Sequence, residues 1–292
     1  MAPGLFTFLH YTRLQFTVLA MTMTAASGIV LVGRIQWESV LMVGLATYAV
    51  YSLDNLLDWP SEKHSVSVIQ PRWNVYLIWC IFTIPLSLIG ILLLAVPSGF
   101  SFLLLLGTLA IISLAHTVLT SRDNSPSVVA IWAENLVASL TWALVTVLIP
   151  VRYAGQQIVA QTVMAIAFVW HLSWVGTMLW DVTGELRATH KDQLLSLPTS
   201  LGEIHLIKLL QIVSISACVL AIVDIVLVFF PWYNISVIAA PIANVILLSL
   251  WEQLRRTPLL FINLLFLVDA FCALLVILVY VVAEQGALTM GL

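Results

Sequence analysis

The chain has 292 residues, of which 62% are hydrophobic and 9% are charged, and its mean hydropathy is +1.09. This composition lies far outside the usual range of soluble globular proteins and predicts an integral membrane protein. The formal net charge is −3, with 11 basic against 14 acidic residues, so we expect no nucleic-acid partner.

Nine apolar stretches follow one another along the chain and nearly fill it. A hydrocarbon core of roughly 30 Å needs about 20 apolar residues per helix, and each stretch is of that order. We therefore predict an all-α membrane protein whose nine transmembrane helices form a single domain over residues 1–292. The predicted spans are residues 15–34, 37–57, 73–96, 99–120, 128–150, 158–180, 205–230, 233–251 and 258–283.

Lys and Arg are distributed unevenly between the two sides of the predicted helices. Cytoplasmic loops of membrane proteins carry an excess of these residues. The opposite loops hold only Arg34 and Arg152 of the 11 basic residues. We therefore predict a cytoplasmic N-terminus and an external C-terminus. The basic residues on the predicted cytoplasmic side are Arg13, Lys63, Arg72, Arg122, Arg187, Lys191, Lys208, Arg255 and Arg256.

Two pairs of acidic residues stand where the second and sixth predicted helices end: Asp54 with Asp58, and Asp181 with Glu185. Each pair is spaced i, i+4, so both acids lie on one face if the flanking helix continues through them. Four converging carboxylates repel one another, and a divalent cation relieves that repulsion. Hard cations take oxygen ligands, and Mg²⁺ is usually held by one or two carboxylates and substrate phosphates. The pattern predicts a magnesium-diphosphate site at the cytoplasmic face.

The segments that carry these acids are long predicted loops, at about 58–72 and 181–203. Long loops in compact domains are usually functional or disordered. Both segments contain basic residues beside the acids, as closure over an anionic ligand requires. We expect them to form cytoplasmic caps over the site.

Both acid pairs belong to patterns that resemble a known family. Asp181-Val-Thr-Gly-Glu185, followed by Ser196-Leu-Pro-Thr-Ser-Leu-Gly202, resembles the DxxGD and TLPxxxG elements after the sixth helix of the UbiA superfamily of intramembrane prenyltransferases. Tyr51-Ser-Leu-Asp54-Asn-Leu-Leu-Asp58 is similar to the end of that family's NDxxDxxxD motif. The segment 116–135 resembles in placement the family's connection between the fourth and fifth helices. The resemblance covers nearly the whole chain.

The resemblance implies a helical bundle around a central cavity open to the bilayer. It implies magnesium-dependent transfer of a prenyl group from a polyprenyl diphosphate to an aromatic or other lipophilic acceptor, among membrane lipids. We expect the location to be a bacterial inner membrane or a photosynthetic membrane. The implied catalytic and metal-binding residues are Asp54, Asp58, Asp181 and Glu185, and the implied diphosphate-binding residues are Lys63, Arg122, Arg187 and Lys191.

The sequence also departs from the family pattern. Val50 and Tyr51 stand where the first motif has Asn and Asp, and Met178 replaces an acid upstream of the second pair. A non-catalytic subunit of a larger membrane complex, binding quinone, carotenoid or another isoprenoid lipid on the same fold, therefore stays an alternative. A transporter is a weaker alternative, because the chain shows neither repeated halves nor interrupted helices.

Polar residues inside the predicted spans add candidates for the cavity. A polar or ionisable side chain in the bilayer is costly unless it is paired or faces a cavity. Glu134, next to Asn135 in the fifth predicted helix, either lines the cavity of the acid pairs or has an internal hydrogen-bond partner. His171, in the sixth, is interpreted either as a core histidine or as a contact for an acceptor or pigment.

Overall fold

The computed structural model describes residues 14–62, 70–120, 128–185, 203–228, 238–250, 267–268 and 270–282. For residues 57–62, 70–76, 116–120, 128–134, 179–185, 203–204 and 224–228, and for 55 and 206, only the backbone is described. The regular structure within these ranges is helical throughout. The all-α prediction is confirmed for this part of the chain.

Nine α-helices lie within the described residues, and they follow the nine predicted spans in order. Hydropathy therefore identified each helix, although α8 and α9 are described over shorter lengths than predicted. The helices are α1 Leu14–Val32, α2 Trp37–Glu62, α3 Gln70–Ala95, α4 Phe100–Thr120, α5 Val128–Tyr153, α6 Ala160–Glu185, α7 Glu203–Val228, α8 Ala239–Ser249 and α9 Ala270–Val282.

Length, apolar composition and exposed apolar side chains mark several of the helices as membrane spans. Among the described residues, three stretches are long and apolar enough to cross a membrane by length and composition: Leu14–Val32, Leu77–Ser98 and Asn135–Tyr153. On α3, Phe82 is 70% exposed and Leu93 is 71% exposed. In water such a surface would drive association, whereas lipid chains cover it. The chain is a multi-pass integral membrane protein.

Several hydroxyl groups on the helices are satisfied by the helix that carries them. Thr83 Oγ1 donates to the carbonyl oxygen of Trp79 at 2.9 Å, and Thr146 Oγ1 donates to that of Trp142 at 2.9 Å. Because an unsatisfied hydroxyl is costly in lipid, a bond to the carbonyl three or four residues back lets a polar residue stay in a span. The same pattern is present at Thr108, Ser139, Thr177, Ser216 and Ser249.

The chain divides into two compact units, of which the first comprises Met1–Met21 and Gln36–Asp123. In this unit α2 packs against α3 and α4. A polar contact joins α2 to α3, because the Tyr48 hydroxyl bonds with Thr83 Oγ1 at 3.1 Å and accepts the indole N–H of Trp79. This contact fixes α2, which carries the first acid pair, against its neighbour.

The second unit comprises Thr22–Ile35 and Asn124–Leu292. In it α5 packs on α6, α6 on α7, and α7 on α8. The helix that carries the second acid pair, α6, is therefore held on two sides. The single-domain organisation stays a prediction. The buried cores are Ala143, Val147 and Val169 between α5 and α6, and Leu172, Ala217, Ala240 and Cys272 among α6 to α9.

Two glycines permit conformations or contacts that a side chain would hinder. Gly33 follows α1 with a φ of +80°, the left-handed region that favours glycine, and its carbonyl oxygen accepts the hydroxyl of Tyr280 at 3.1 Å. Gly44 on α2 faces Met21, since a Cβ there would lie 2.7 Å from the Cγ and Sδ atoms of that side chain. The first glycine ends α1, and the second lets α1 and α2 approach closely.

Candidate functional site

The first acid pair lies inside a helix. α2 continues to Glu62 instead of ending with the apolar run near residue 57, so Asp54 and Asp58 lie on one face, about 6 Å apart along the helix axis. Asp54 is half-buried, and the side chain of Asp58 is outside the described part of the structure. The helical continuation that the i, i+4 argument requires is therefore present, and only residues 63–69 separate α2 from α3.

The second acid pair is also inside a helix. α6 runs to Glu185, past the predicted end at residue 180, and its last turns contain both Asp181 and Glu185 on one face. Their side chains lie outside the described part of the structure. Because α2 belongs to the first compact unit and α6 to the second, the convergence of the two pairs stays a prediction.

Three residues before each acid pair, on the same helix face, an uncharged side chain is packed. The ring of Tyr51 stacks on Phe16 of α1, with centroids 4.7 Å apart and planes inclined by 13°. Met178 is 0% exposed. These are the positions at which the family motifs led us to note missing acids. Packed, uncharged side chains occupy both positions, so the first acid of the pair is Asp54 in α2 and Asp181 in α6.

The other predicted site residues are divided between the described and undescribed parts of the chain. Asn135 on α5 is 4% exposed, and the backbone of Glu134 is helical while its side chain is not described. A role for this pair in lining a cavity stays a prediction. The predicted diphosphate-binding residues all lie outside the described residues; they are Lys63, Arg122, Arg187 and Lys191.

A hydrogen-bonded network joins α5 to α6 near Asn135. The buried Ser139 hydroxyl donates to the carbonyl oxygen of Asn135 at 2.7 Å and accepts the indole N–H of Trp170 at 3.1 Å. Polar bonds between helices are favourable in lipid because water does not compete for them. The network therefore sets the rotation of α6 relative to α5 within this unit.

Sequence reasoning missed several buried polar groups on α6, α7 and α8. The hydroxyls of Ser173 and Ser214, and both side-chain amide atoms of Asn244, have no hydrogen-bond partner within the described part of the chain. Ser214 and Asn244 are each 0% exposed. The sequence signal that could have found them is Asn244, a lone amide side chain within the apolar run Ala239–Ser249. Such groups are normally satisfied by protein, water or a ligand.

The predicted donor set suits Mg²⁺ by its chemistry. Carboxylate oxygens are ligands that Mg²⁺ prefers, and its octahedral shell usually keeps waters and phosphate oxygens beside one or two carboxylates. No group of three or more His, Cys, Asp or Glu is found among the described side chains, which include Asp54 but not the other three predicted ligands. The fit therefore depends on the type of donor and on the i, i+4 placement in α2 and α6.

No family model matches the chain, and no curated protein matches it in sequence. The described helices and their exposed apolar side chains define a multi-pass helical membrane protein. The matching structure is that of a digeranylgeranylglyceryl phosphate synthase in membranes, with 14% sequence identity and a TM-score of 0.57 over 92% of this chain and 98% of that chain. That protein is a UbiA-superfamily prenyltransferase. The chain has a UbiA-like fold, so the predicted resemblance is confirmed for the fold.

Proposed function

We propose that the protein is a UbiA-like prenyltransferase that moves a prenyl group from a polyprenyl diphosphate to a lipophilic, ring-bearing acceptor. One observation carries the proposal: the chain shares its fold with a membrane prenyltransferase over 92% of its length. In support of it, the chain has an acid pair in each of α2 and α6. A scaffold protein would need neither pair. The proposed membrane is a bacterial inner or photosynthetic membrane, with the N-terminus in the cytoplasm.

Each group of charged residues has a separate role in this proposal. Transfer breaks the allylic carbon–oxygen bond and joins the prenyl carbon to the acceptor, which loses a proton, while diphosphate leaves with additional negative charge. Bound Mg²⁺ supplies positive charge that stabilises this leaving group. Asp54, Asp58, Asp181 and Glu185 hold the metal, and the bases that neutralise the remaining phosphate charge are Lys63, Arg122, Arg187 and Lys191.

A transfer assay tests the proposal. Purified protein in lipid is supplied with Mg²⁺, radiolabelled prenyl diphosphates of several chain lengths and a membrane extract as the source of acceptor. We expect label in a new lipophilic product, and we expect Asp54→Asn and Asp181→Asn to lower the rate at least 100-fold if each removes a ligand of the metal. Absence of transfer for every chain length, in protein shown to be folded, contradicts the proposal.

The second candidate is a non-catalytic subunit that uses the same fold to bind an isoprenoid lipid. The packing of Tyr51 on Phe16 and the burial of Met178 favour it, because uncharged residues occupy both positions next to the acids. Stable co-purification with other membrane subunits, together with unchanged cell growth after Asp54→Ala and Asp181→Ala, would decide for this candidate. Loss of growth with either variant decides against it.

A further inference from the structure

One face of α6 continues from the acid pair into the span. His171, Trp174, Met178, Asp181 and Glu185 follow one another at intervals of three and four residues, so they share one side of the helix, which we call the acid face. His171 lies about 15 Å along the axis from Asp181. The acid face therefore carries acids at its end and an imidazole deep in the span.

The hydrogen bond of His171 fixes which ring nitrogen holds a proton. Nδ1 lies 2.6 Å from the carbonyl oxygen of Ala167, one turn earlier. A carbonyl oxygen only accepts, so Nδ1 is the donor in this bond. In the neutral imidazole the lone pair then belongs to Nε2, which is an acceptor and has no proton to donate.

No described residue donates a hydrogen bond to Nε2 of His171. The indole N–H of the adjacent Trp170 is directed to Ser139 Oγ at 3.1 Å, although the ring of Trp170 lies edge-on to the imidazole, with the ring centroids 5.9 Å apart. His171 is half-buried, and Nε2 is not one of the fully buried atoms without a partner. Since polar atoms in a protein interior are normally bonded, this reachable acceptor in a membrane span calls for a donor from elsewhere.

We propose that Nε2 of His171 accepts a hydrogen bond from a hydroxyl group of a lipophilic ligand that lies beside His171, at the inner end of the acid face of α6. The ligand must contain a hydrogen-bond donor, because Nε2 and a carbonyl oxygen are both acceptors and form no hydrogen bond with each other. A reduced, hydroxyl-bearing ring or a lipid alcohol fits this requirement, and an oxidised quinone does not. The subsite requires binding only, so it stands whether or not the protein transfers prenyl groups.

Binding of a matched pair of probes tests the subsite. An alkyl hydroquinone and its oxidised quinone are titrated onto the full chain in nanodiscs under anaerobic conditions, and binding is measured by equilibrium dialysis. We expect the hydroquinone to bind about fivefold more tightly, as one hydrogen bond allows. His171→Phe should make the two affinities equal, whereas His205→Phe, at an exposed position of α7, should keep the preference.

A second measurement needs no substitution at His171. Magnetic resonance of isotope-labelled histidine ring nitrogens should show His171 as the Nδ1-protonated form, with the Nε2 signal moving on addition of hydroquinone but not of quinone. Geranylgeraniol, a lipid alcohol without a ring, is the third probe, and a shift with it alone assigns the hydroxyl to a lipid alcohol. Equal binding of hydroquinone and quinone by the native protein, or an Nε2 signal that no hydroxyl probe moves, overturns the proposal.

Discussion

The substitution Asp58→Asn distinguishes two explanations of the first acid pair. Either the pair binds a metal ion, or neighbouring basic residues neutralise it. Asp54 and Asp58 are about 6 Å apart along α2. Two negative charges at that distance repel by roughly 0.7 kcal/mol in water and by roughly 3 kcal/mol at an effective dielectric constant of 20. Because Asp54 is half-buried, we expect an intermediate value. In the absence of Mg²⁺ the variant should therefore gain about 1–2 kcal/mol in its free energy of unfolding.

At saturating Mg²⁺ the native protein should instead have the higher free energy of unfolding. An ion that binds only the folded state stabilises it by about 2.7 kcal/mol at 100 times its dissociation constant, and the variant lacks one of the ligands. Unfolding in detergent, followed in EDTA and over a Mg²⁺ titration, measures both effects.

Glu38→Gln is the matched control for Asp58→Asn. Glu38 is exposed in the first turn of the same helix, where an acid favours the helix dipole. This variant should lose about 0.3–1 kcal/mol and keep the full response to Mg²⁺. If instead Asp58→Asn lowers the stability in EDTA and the native protein ignores Mg²⁺, bases neutralise the pair and the metal argument is wrong.

Four further substitutions test local contacts of the helices, each by unfolding in detergent. Phe16→Ala removes the ring beneath Tyr51 and should cost about 3–5 kcal/mol, whereas Tyr51→Phe keeps the stack and should cost at most about 1.5 kcal/mol; equal costs would contradict the stack. Gly33→Ala places a side chain at a φ of +80° and should lower the free energy of unfolding by about 1–2 kcal/mol. An unchanged stability would contradict the left-handed conformation at this residue. Ser139→Ala leaves the Trp170 indole N–H without its acceptor and should lower the free energy of unfolding by about 1–3 kcal/mol. An unchanged free energy of unfolding would contradict the hydrogen-bonded network.

The helices were predictable because a membrane span needs a long apolar run, and each apolar run in the sequence corresponds to one helix of the structure. Their ends were less predictable. Hydropathy falls at Asp54 and Asp181, yet α2 continues to Glu62 and α6 to Glu185. The apolar run ends where the bilayer ends, whereas a helix ends where its backbone hydrogen bonds stop, and the two points need not coincide.

The candidate site was predictable from motifs to the extent that the motifs are local. The acids and the departures at Tyr51 and Met178 are visible in the sequence, but the stacking partner of Tyr51 is Phe16, 35 residues away, and follows from the rotation of two helices. Sequence also left His171 open between a core residue and a ligand contact. Only the coordinates show that Nδ1 is bonded to the carbonyl oxygen of Ala167 and that no donor to Nε2 is found among the described residues.

Manganese binding tests most directly whether α2 and α6 hold the same ion. Mn²⁺ replaces Mg²⁺ at oxygen sites and is observed by electron paramagnetic resonance, so its affinity can be measured in the native protein, Asp54→Asn, Asp181→Asn and the double variant. With a shared ion, each single variant should bind Mn²⁺ at least tenfold more weakly, and the double variant should lose less than the product of the single effects because the site is already broken. Two independent classes of bound Mn²⁺, each abolished by one substitution only, would mean that the acid pairs do not meet.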